Sequence, residues 1–353
     1  MNTKEEKFLM NTKVLKFGIV GCGVAANFHV KALGNFEDTE LYGVYDAYKA
    51  GALSFAEKHG VKVYESYEEM LSDENIDAVT ICTPSGLHAE QAIKAIRANK
   101  HVLIEKPLAT NIEDAKKVYE EAEKYNKIVD VVAQLRLSKS VRRIKKALTE
   151  ERLGKITLVE LQMVYYRSDE YYNSAPWRGT FKMDGGGAMM NQGIHGMDIL
   201  LYLFGPVEST FGFAETMVRN IETEDTAAAV IKFKSGALCT VSATTSVYPG
   251  SPRRLRICGT KGTIVLTEDS ISEWSVMGED PDKYVRESHY TSFDKPEAIP
   301  ESAHNGVVRD FADAVLEGKE PISTAKDGFN AVALIKSIYK ASEENNIQTP
   351  EFI

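Results

Sequence analysis

Leu15-Lys-Phe-Gly-Ile-Val-Gly-Cys-Gly-Val-Ala-Ala26, followed by an apolar run that ends at Asp46, decides the fold. Phe17, Ile19 and Val20 read as a short buried strand, and Gly21-Cys-Gly-Val-Ala-Ala26 has the glycine spacing of a strand-to-helix turn that wraps a pyrophosphate. Gly21 permits the tight turn. Gly23 has no Cβ, so backbone N–H groups at the helix start, on Val24 and Ala25, can approach phosphate oxygens at the positive end of the helix dipole. Ala26 keeps the helix close to the strand. The run Leu41-Tyr-Gly-Val-Tyr45 then delivers Asp46 at the distance where such folds place a carboxylate on the adenosine ribose. That charge repels a 2'-phosphate, and Lys49 is the only nearby cation, so NAD is expected rather than NADP.

A chain of 353 residues is long enough for two domains, each with its own apolar centre. Its 43% hydrophobic and 26% charged residues suit a soluble enzyme, and a net charge of -9 argues against a nucleic-acid partner. No run reaches the roughly 18 apolar residues of a membrane span, and the polar start lacks a secretion signal's apolar stretch. A cytoplasmic location with no membrane partner is expected. Cysteines 22, 82, 239 and 258 show no Cys-x-x-Cys pair, so reduced thiols are expected. The seven histidines form no ligand-spaced cluster with carboxylates, so no metal is expected. Residues 1–12, in which Met1-Asn-Thr-Lys4 is repeated from Met10, are expected to form a mobile tail.

From 14 to about 135, strand patterns near 14–20, 40–45, 61–64, 77–82, 101–104 and 128–133 alternate with helical patterns. This predicts a doubly wound parallel sheet, a Rossmann domain over 13–135. After a further helix the grammar changes. Residues 156–166 alternate strictly, with Val159, Leu161, Met163 and Tyr165 on one face, and similar runs follow at 207–217, 225–234, 237–246, 253–258 and 262–267. Residues 136–353 are therefore expected to form an α+β domain with a large, mostly antiparallel open sheet, one helix near 188–203, and C-terminal helices packing back toward the first domain. An open sheet with one polar face suits self-association, so a homodimer or homotetramer is expected.

Two segments carry chemistry. Strand 101–104 runs into Glu105-Lys106-Pro107 at the carboxyl edge of the parallel sheet, where doubly wound folds bind ligands. Proton transfer by Lys106 near neutral pH needs roughly a three-unit depression from about 10.4, or about 4 kcal/mol. Burial and a neighbouring nicotinamide cation both push that way. The second segment is Gly185-Gly-Gly-Ala-Met-Met-Asn191-Gln-Gly-Ile-His195-Gly-Met-Asp198. If 188–203 is one helix, Asn191, His195 and Asp198 share a face, Asp198 can orient His195, and Gly193 and Gly196 leave the adjoining surface open to a ligand.

Taken together, Gly21-x-Gly23-x-x-Ala26, Cys82-Thr-Pro-Ser-Gly-Leu-His88, Lys100-His-Val-Leu-Ile-Glu-Lys-Pro107, Gly154-Lys-Ile156 and Gly-Ile-His-x-x-Asp198 resemble the Gfo/Idh/MocA oxidoreductases, the glucose-fructose oxidoreductase and inositol dehydrogenase family, over essentially the whole chain. The resemblance implies that Thr83, Pro84 and His88 line the cofactor and that Glu105 and Lys106 sit near the nicotinamide ribose. It also implies that Lys106 and His195 are catalytic, assisted by Asn191. Trp177-Arg178 resembles a loop by which the second domain reaches the cofactor, and Arg136 and Tyr165 fall where relatives meet substrate. Many relatives carry aspartate where this chain has Asn191. Asn-Gln-Gly-Ile-His is similar to the branch that oxidises C3 of nucleotide-linked N-acetylhexosamines and their uronic acids.

The expected activity is NAD-dependent hydride transfer at a secondary alcohol of a sugar or cyclic polyol, nucleotide-linked sugars included. Lys106 or His195 takes the hydroxyl proton, and the other steadies the alkoxide. Two rivals stand beside it: a lyase or hydrolase that retains NAD, and a non-catalytic sensor of NAD or sugar.

Overall fold

The computed structural model describes residues 13–285 and 301–353. The expected tail, residues 1–12, lies outside the described residues.

Six strands, β1 (Leu15–Val20), β2 (Thr39–Tyr45), β3 (Lys62–Val63), β4 (Ala78–Ile81), β5 (His101–Ile104) and β6 (Val129–Val131), pair in the order β3-β2-β1-β4-β5-β6. Every pairing is parallel. All six carboxyl ends therefore share one edge, and the glycine loop, Asp46, Thr83, Glu105-Lys106 and Arg136 all follow a strand on that edge. Local chemistry sets the helix starts: Ser66, Asn111 and Ser138 each accept a hydrogen bond from the backbone N–H three residues on.

The remaining strands are β7 (Ile156–Val164), β8 (Val207–Glu215), β9 (Thr226–Phe233), β10 (Leu238–Thr244), β11 (Arg254–Gly259), β12 (Gly262–Thr267) and β13 (Ser270–Val276), ordered β13-β12-β11-β7-β10-β9-β8. They form a mostly antiparallel sheet with one parallel junction, β7 against β10. The sequence reading missed β13. It also missed two short helices, Asp169–Asn173 and Phe181–Asp184, whose lengths are too small to show a period.

Two terminal helices join the sheets. Phe311, Val307 and Val308 of the Glu301–Glu317 helix pack into the same core as Phe17, Ile19 and Val44, with the Phe17 and Phe311 rings 5.7 Å apart. The Ala325–Glu344 helix lies against both the Ile112–Tyr125 helix and β8, and its Phe329, Leu334 and Ile335 belong to the large core shared with the second sheet. Among the described residues, no helix is long and apolar enough to cross a membrane.

Candidate active site

The dinucleotide cradle has the shape its sequence implies. Gly21 adopts φ +88°, and a Cβ there would lie 2.9 Å from the backbone carbonyl carbon and oxygen of Cys82. Only glycine fits both constraints. A Cβ on Gly23 would meet nothing within 4 Å, and the Val24–Leu33 helix that it precedes has no side-chain cap. The N–H groups at this helix start, beside an exposed Val24, thus face open space able to take a phosphate. Asp46 braces the cradle: Oδ2 accepts from Cys22 N at 2.7 Å and Oδ1 from Tyr48 N at 2.8 Å. These residues fit an adenine dinucleotide.

Two neighbouring features hold the loops that follow β4 and β5. The His88 ring lies between two carbonyls, Nδ1 2.7 Å from Pro107 O and Nε2 2.8 Å from Thr83 O, and is buried. It ties the Thr83-Pro84 loop to the Lys106-Pro107 turn, whose peptide is cis. Glu105 Oε1 is 2.9 Å from His29 Nε2 and 3.5 Å from His304 Nε2. Burial pushes Glu105 up, but the two imidazoles outweigh it and hold the carboxyl well below its usual range. This cluster corrects the expectation that histidines and carboxylates stay apart. His29, Glu105 and His304 come from three distant segments and offer donor atoms within 4.8 Å of one another, although the hydrogen bonds already account for the arrangement.

Lys106 reaches a residue 85 positions further along the chain. Its Nζ donates to the backbone O of Asn191 at 2.8 Å and to Asn191 Oδ1 at 3.3 Å. Burial lowers its pKa from the ordinary 10.5; Glu105 and Asp184 counter this, while Arg178 and Arg167 add to it. His195 is pushed down to about 3, first by burial, then by the charges of Lys106 and Arg253. The imidazole is therefore neutral at any ordinary pH.

The expected single helix over 188–203 is two pieces. Ala188–Gln192 forms a π-helical turn, and the α-helix proper is Ile194–Phe204. Glu224 holds the turn from beneath, accepting from Gly187 N and Met189 N at 2.8 Å each and from Tyr339 Oη at 2.7 Å. Four site expectations fail here. Gly193 and Gly196 face the sheet, where added Cβ atoms would meet Met163 at 3.0 and 2.6 Å, so their role is close packing and not ligand access. Asp198 does not orient His195; it pairs with Arg136 in a buried bidentate contact at 2.6 and 2.9 Å. Arg136 also reaches Ile322 O and Asp327, so its donors serve the interdomain junction and not a substrate. Tyr165, likewise expected to meet substrate, is 4% exposed and packed against Arg253, with burial raising its hydroxyl to about 12.

Other residues bring charge to Lys106 and contacts around it instead. Arg178 donates to Tyr171 Oη at 2.6 Å and lies over the rings of Tyr171 and Trp177. Arg167 donates to Gln192 Oε1 at 3.1 Å, and Gln192 Nε2 donates to Tyr171 Oη at 2.8 Å. Tyr171, Arg167 and Asp184 escaped the sequence reading because 166–184 has no periodicity to place them, and Gln192 was given no role although it lies in the glycine-rich segment.

The sequence pattern of the oxidoreductase family with an NAD-binding Rossmann fold matches residues 15–133, and that of the GFO/IDH/MocA C-terminal domain matches residues 141–265. The chain belongs to the GFO/IDH/MocA family. Among relatives, the myo-inositol 2-dehydrogenase of Thermotoga maritima is 27% identical over 94% of this chain and 97% of its own. The WlbA dehydrogenase of Bordetella pertussis, solved with NADH and UDP-GlcNAcA, is 30% identical, covers 98% of this chain and 99% of its own, and superposes with a TM-score of 0.87. The Chromobacterium violaceum WlbA dehydrogenase, solved with the same two ligands, is 31% identical with a TM-score of 0.88 and 98% coverage of both chains. This GFO/IDH/MocA chain is thus an oxidoreductase with an NAD-binding Rossmann domain.

Proposed function

We propose that the protein oxidises a ring secondary alcohol of an acidic, nucleotide-linked sugar, of the UDP-N-acetylhexosaminuronate class, at C3, with NAD in preference to NADP. The observation that carries this reading is the contact of Lys106, just beyond the carboxyl end of β5, with Asn191, together with the effect of the Lys106 charge on His195. One further feature favours an acidic sugar. The two WlbA dehydrogenases were solved with UDP-GlcNAcA. Residues 13–135 would hold the cofactor, with Gly21, Gly23, Val24, Ala25, Ala26, Asp46, Thr83, Pro84, Glu105 and Lys106 lining it, and 136–353 would hold the sugar and reach the cofactor through Trp177 and Arg178; His88, expected to line the cofactor, is buried with both ring nitrogens on backbone carbonyls and braces the lining instead.

When bound, NAD supplies the hydride acceptor. Lys106, lowered by burial, takes the hydroxyl proton. His195 is too weak a base to keep a proton near neutrality and instead donates an N–H to the developing alkoxide. Asn191 holds the Lys106 ammonium in place. The downward push on His195 favours Lys106 as the base in this reading.

The outer face of the second sheet carries exposed Leu158, Phe213, Val230 and Leu238, and we assign it to self-association in a cytoplasmic homo-oligomer. Sedimentation giving a monomer at micromolar concentration would count against that assignment.

The test is an NADH-absorbance screen of UDP-sugars, free hexoses and inositols, run with Lys106→Ala as control. UDP-N-acetylhexosaminuronates should give the highest kcat/KM, and Lys106→Ala should keep NADH binding while losing at least about 100-fold in kcat. Product without net NADH would instead favour an NAD-retaining lyase.

A further inference from the structure

Lys106 lies beside two carboxylates, and they are differently placed. Glu105 is committed to His29 and His304. Asp184, the last residue of the Phe181–Asp184 helix, has no such partner among the described histidines and is 2% exposed. Its Oδ2 accepts from Gly179 N at 2.8 Å, and its Oδ1 accepts from the carboxamide Nδ2 of Asn191. The other end of that carboxamide, Oδ1, accepts from Lys106 Nζ at 3.3 Å. A continuous line therefore runs from Gly179 N through Asp184 and Asn191 to Lys106.

A carboxamide has an acceptor end and a donor end, and the two are close in shape. With Asp184 ionised, only one orientation is acceptable, because the flipped amide would aim its NH2 at the ammonium and its oxygen at the carboxylate. Asp184 also supplies negative charge to Lys106 without touching it, since the Asn191 amide lies between them. A carboxylate in direct contact would favour the ammonium more strongly.

We propose that Asp184 is the positioning residue of the Lys106 centre, fixing the Asn191 carboxamide and supplying the counter-charge that Asn191 itself lacks. The inference rests on the reading of Lys106 as the base.

The experiment compares Asp184→Asn, Asp184→Glu and the exchange Asp184→Asn/Asn191→Asp in the full-length enzyme with its best substrate. For each, kcat, KM for NAD, the pH profile of kcat/KM and NADH binding by fluorescence are measured. Asp184→Asn should lower kcat by roughly 10- to 100-fold, leave KM for NAD within about twofold, and move the ascending pH limb down by roughly one unit, because lost negative charge disfavours the ammonium. The exchange should recover at least about a tenth of wild-type kcat and move the limb above its wild-type position, since the carboxylate then meets Lys106 directly. Asp184→Glu keeps the charge, so its limb should stay in place while kcat falls; this arm decides the matter if Asp184→Asn does not fold. An unmoved limb in Asp184→Asn, an exchange no better than that variant, or an Asp184→Glu limb displaced by about a unit overturns the inference. If Lys106→Ala stays active, the underlying reading of Lys106 has failed instead.

Discussion

Arg136 and Asp198 meet in a bidentate ion pair, Nη2 to Oδ1 at 2.6 Å and Nε to Oδ2 at 2.9 Å, that couples the end of the parallel sheet to the helix carrying His195. Asp327, whose carboxylate also accepts from Thr324 N in a capping box, reaches Arg136 at 3.0 Å. One guanidinium thus locks together three segments that the chain order keeps far apart. Breaking one side of such a buried pair strands the other charge.

Arg136→Leu is therefore expected to destabilise the fold by about 3–5 kcal/mol, with a milder loss in Arg136→Leu/Asp198→Leu. Urea unfolding midpoints at constant slope check both, and equal losses would show that stranded charge is not the cause.

Asp46 holds the Cys22 and Tyr48 amides as well as facing the cradle. Asp46→Ser should raise KM for NAD by at least about tenfold, and adding Ala47→Arg should shift kcat/KM toward NADP. Unchanged NAD:NADP ratios across the three enzymes would remove Asp46 from cofactor selection.

For alcohol oxidation, activity should rise with pH along a single limb set by Lys106, because the amine must be unprotonated to act as base. No limb near 6.5 is expected from His195, which is already neutral there, pushed down to about 3. A wild-type limb near 6.5 that vanishes in His195→Asn would make the imidazole the base.

Burial also lowers His29 and His88, and takes His101 down to about 4. Below the ordinary histidine value of 6.5 the unfolded chain binds protons that the folded one refuses. Stability should therefore be full above about 6.5 and fall progressively as pH drops toward 4. Thermal unfolding between pH 8 and 4 measures this. His195→Asn should flatten the slope, and an identical slope would show that His195 is hydrated in the fold.

Phe311 packs 5.7 Å from Phe17 on the Rossmann core although some 290 residues separate them, as the sequence positions show. Phe311→Ala should cost about 3–5 kcal/mol by cavity formation. Loss of less than about 1 kcal/mol in urea unfolding would mean that the terminal helix is not part of that core.

Much of the frame was legible because it depends on short-range pattern. Strand-helix alternation gave the parallel sheet, and the alternation of Val159, Leu161 and Met163 placed β7 with its apolar face buried. Asp198 lies in the same α-helix as His195, but its spacing could not show that Arg136, from a distant segment, takes both carboxylate oxygens. Arg136 and Tyr165 were misplaced because motif position says which side of a fold a residue is on, but not whether another side chain has already taken its donors.

The amino-acid sequence by itself determined the glycine turn, Asp46 at the end of β2, the extended strand end that delivers Lys106, and the change from parallel to mostly antiparallel sheet. Each follows from backbone freedom, side-chain period or a fixed spacing within a few residues. Tertiary structure alone decided what faces Lys106, that burial and neighbouring charge push His195 down, that Asp198 serves Arg136, and that His29 and His304 meet Glu105. Those outcomes depend on burial and on charges brought together from distant segments, and both exist only once the two sheets and the terminal helices have closed around one cleft.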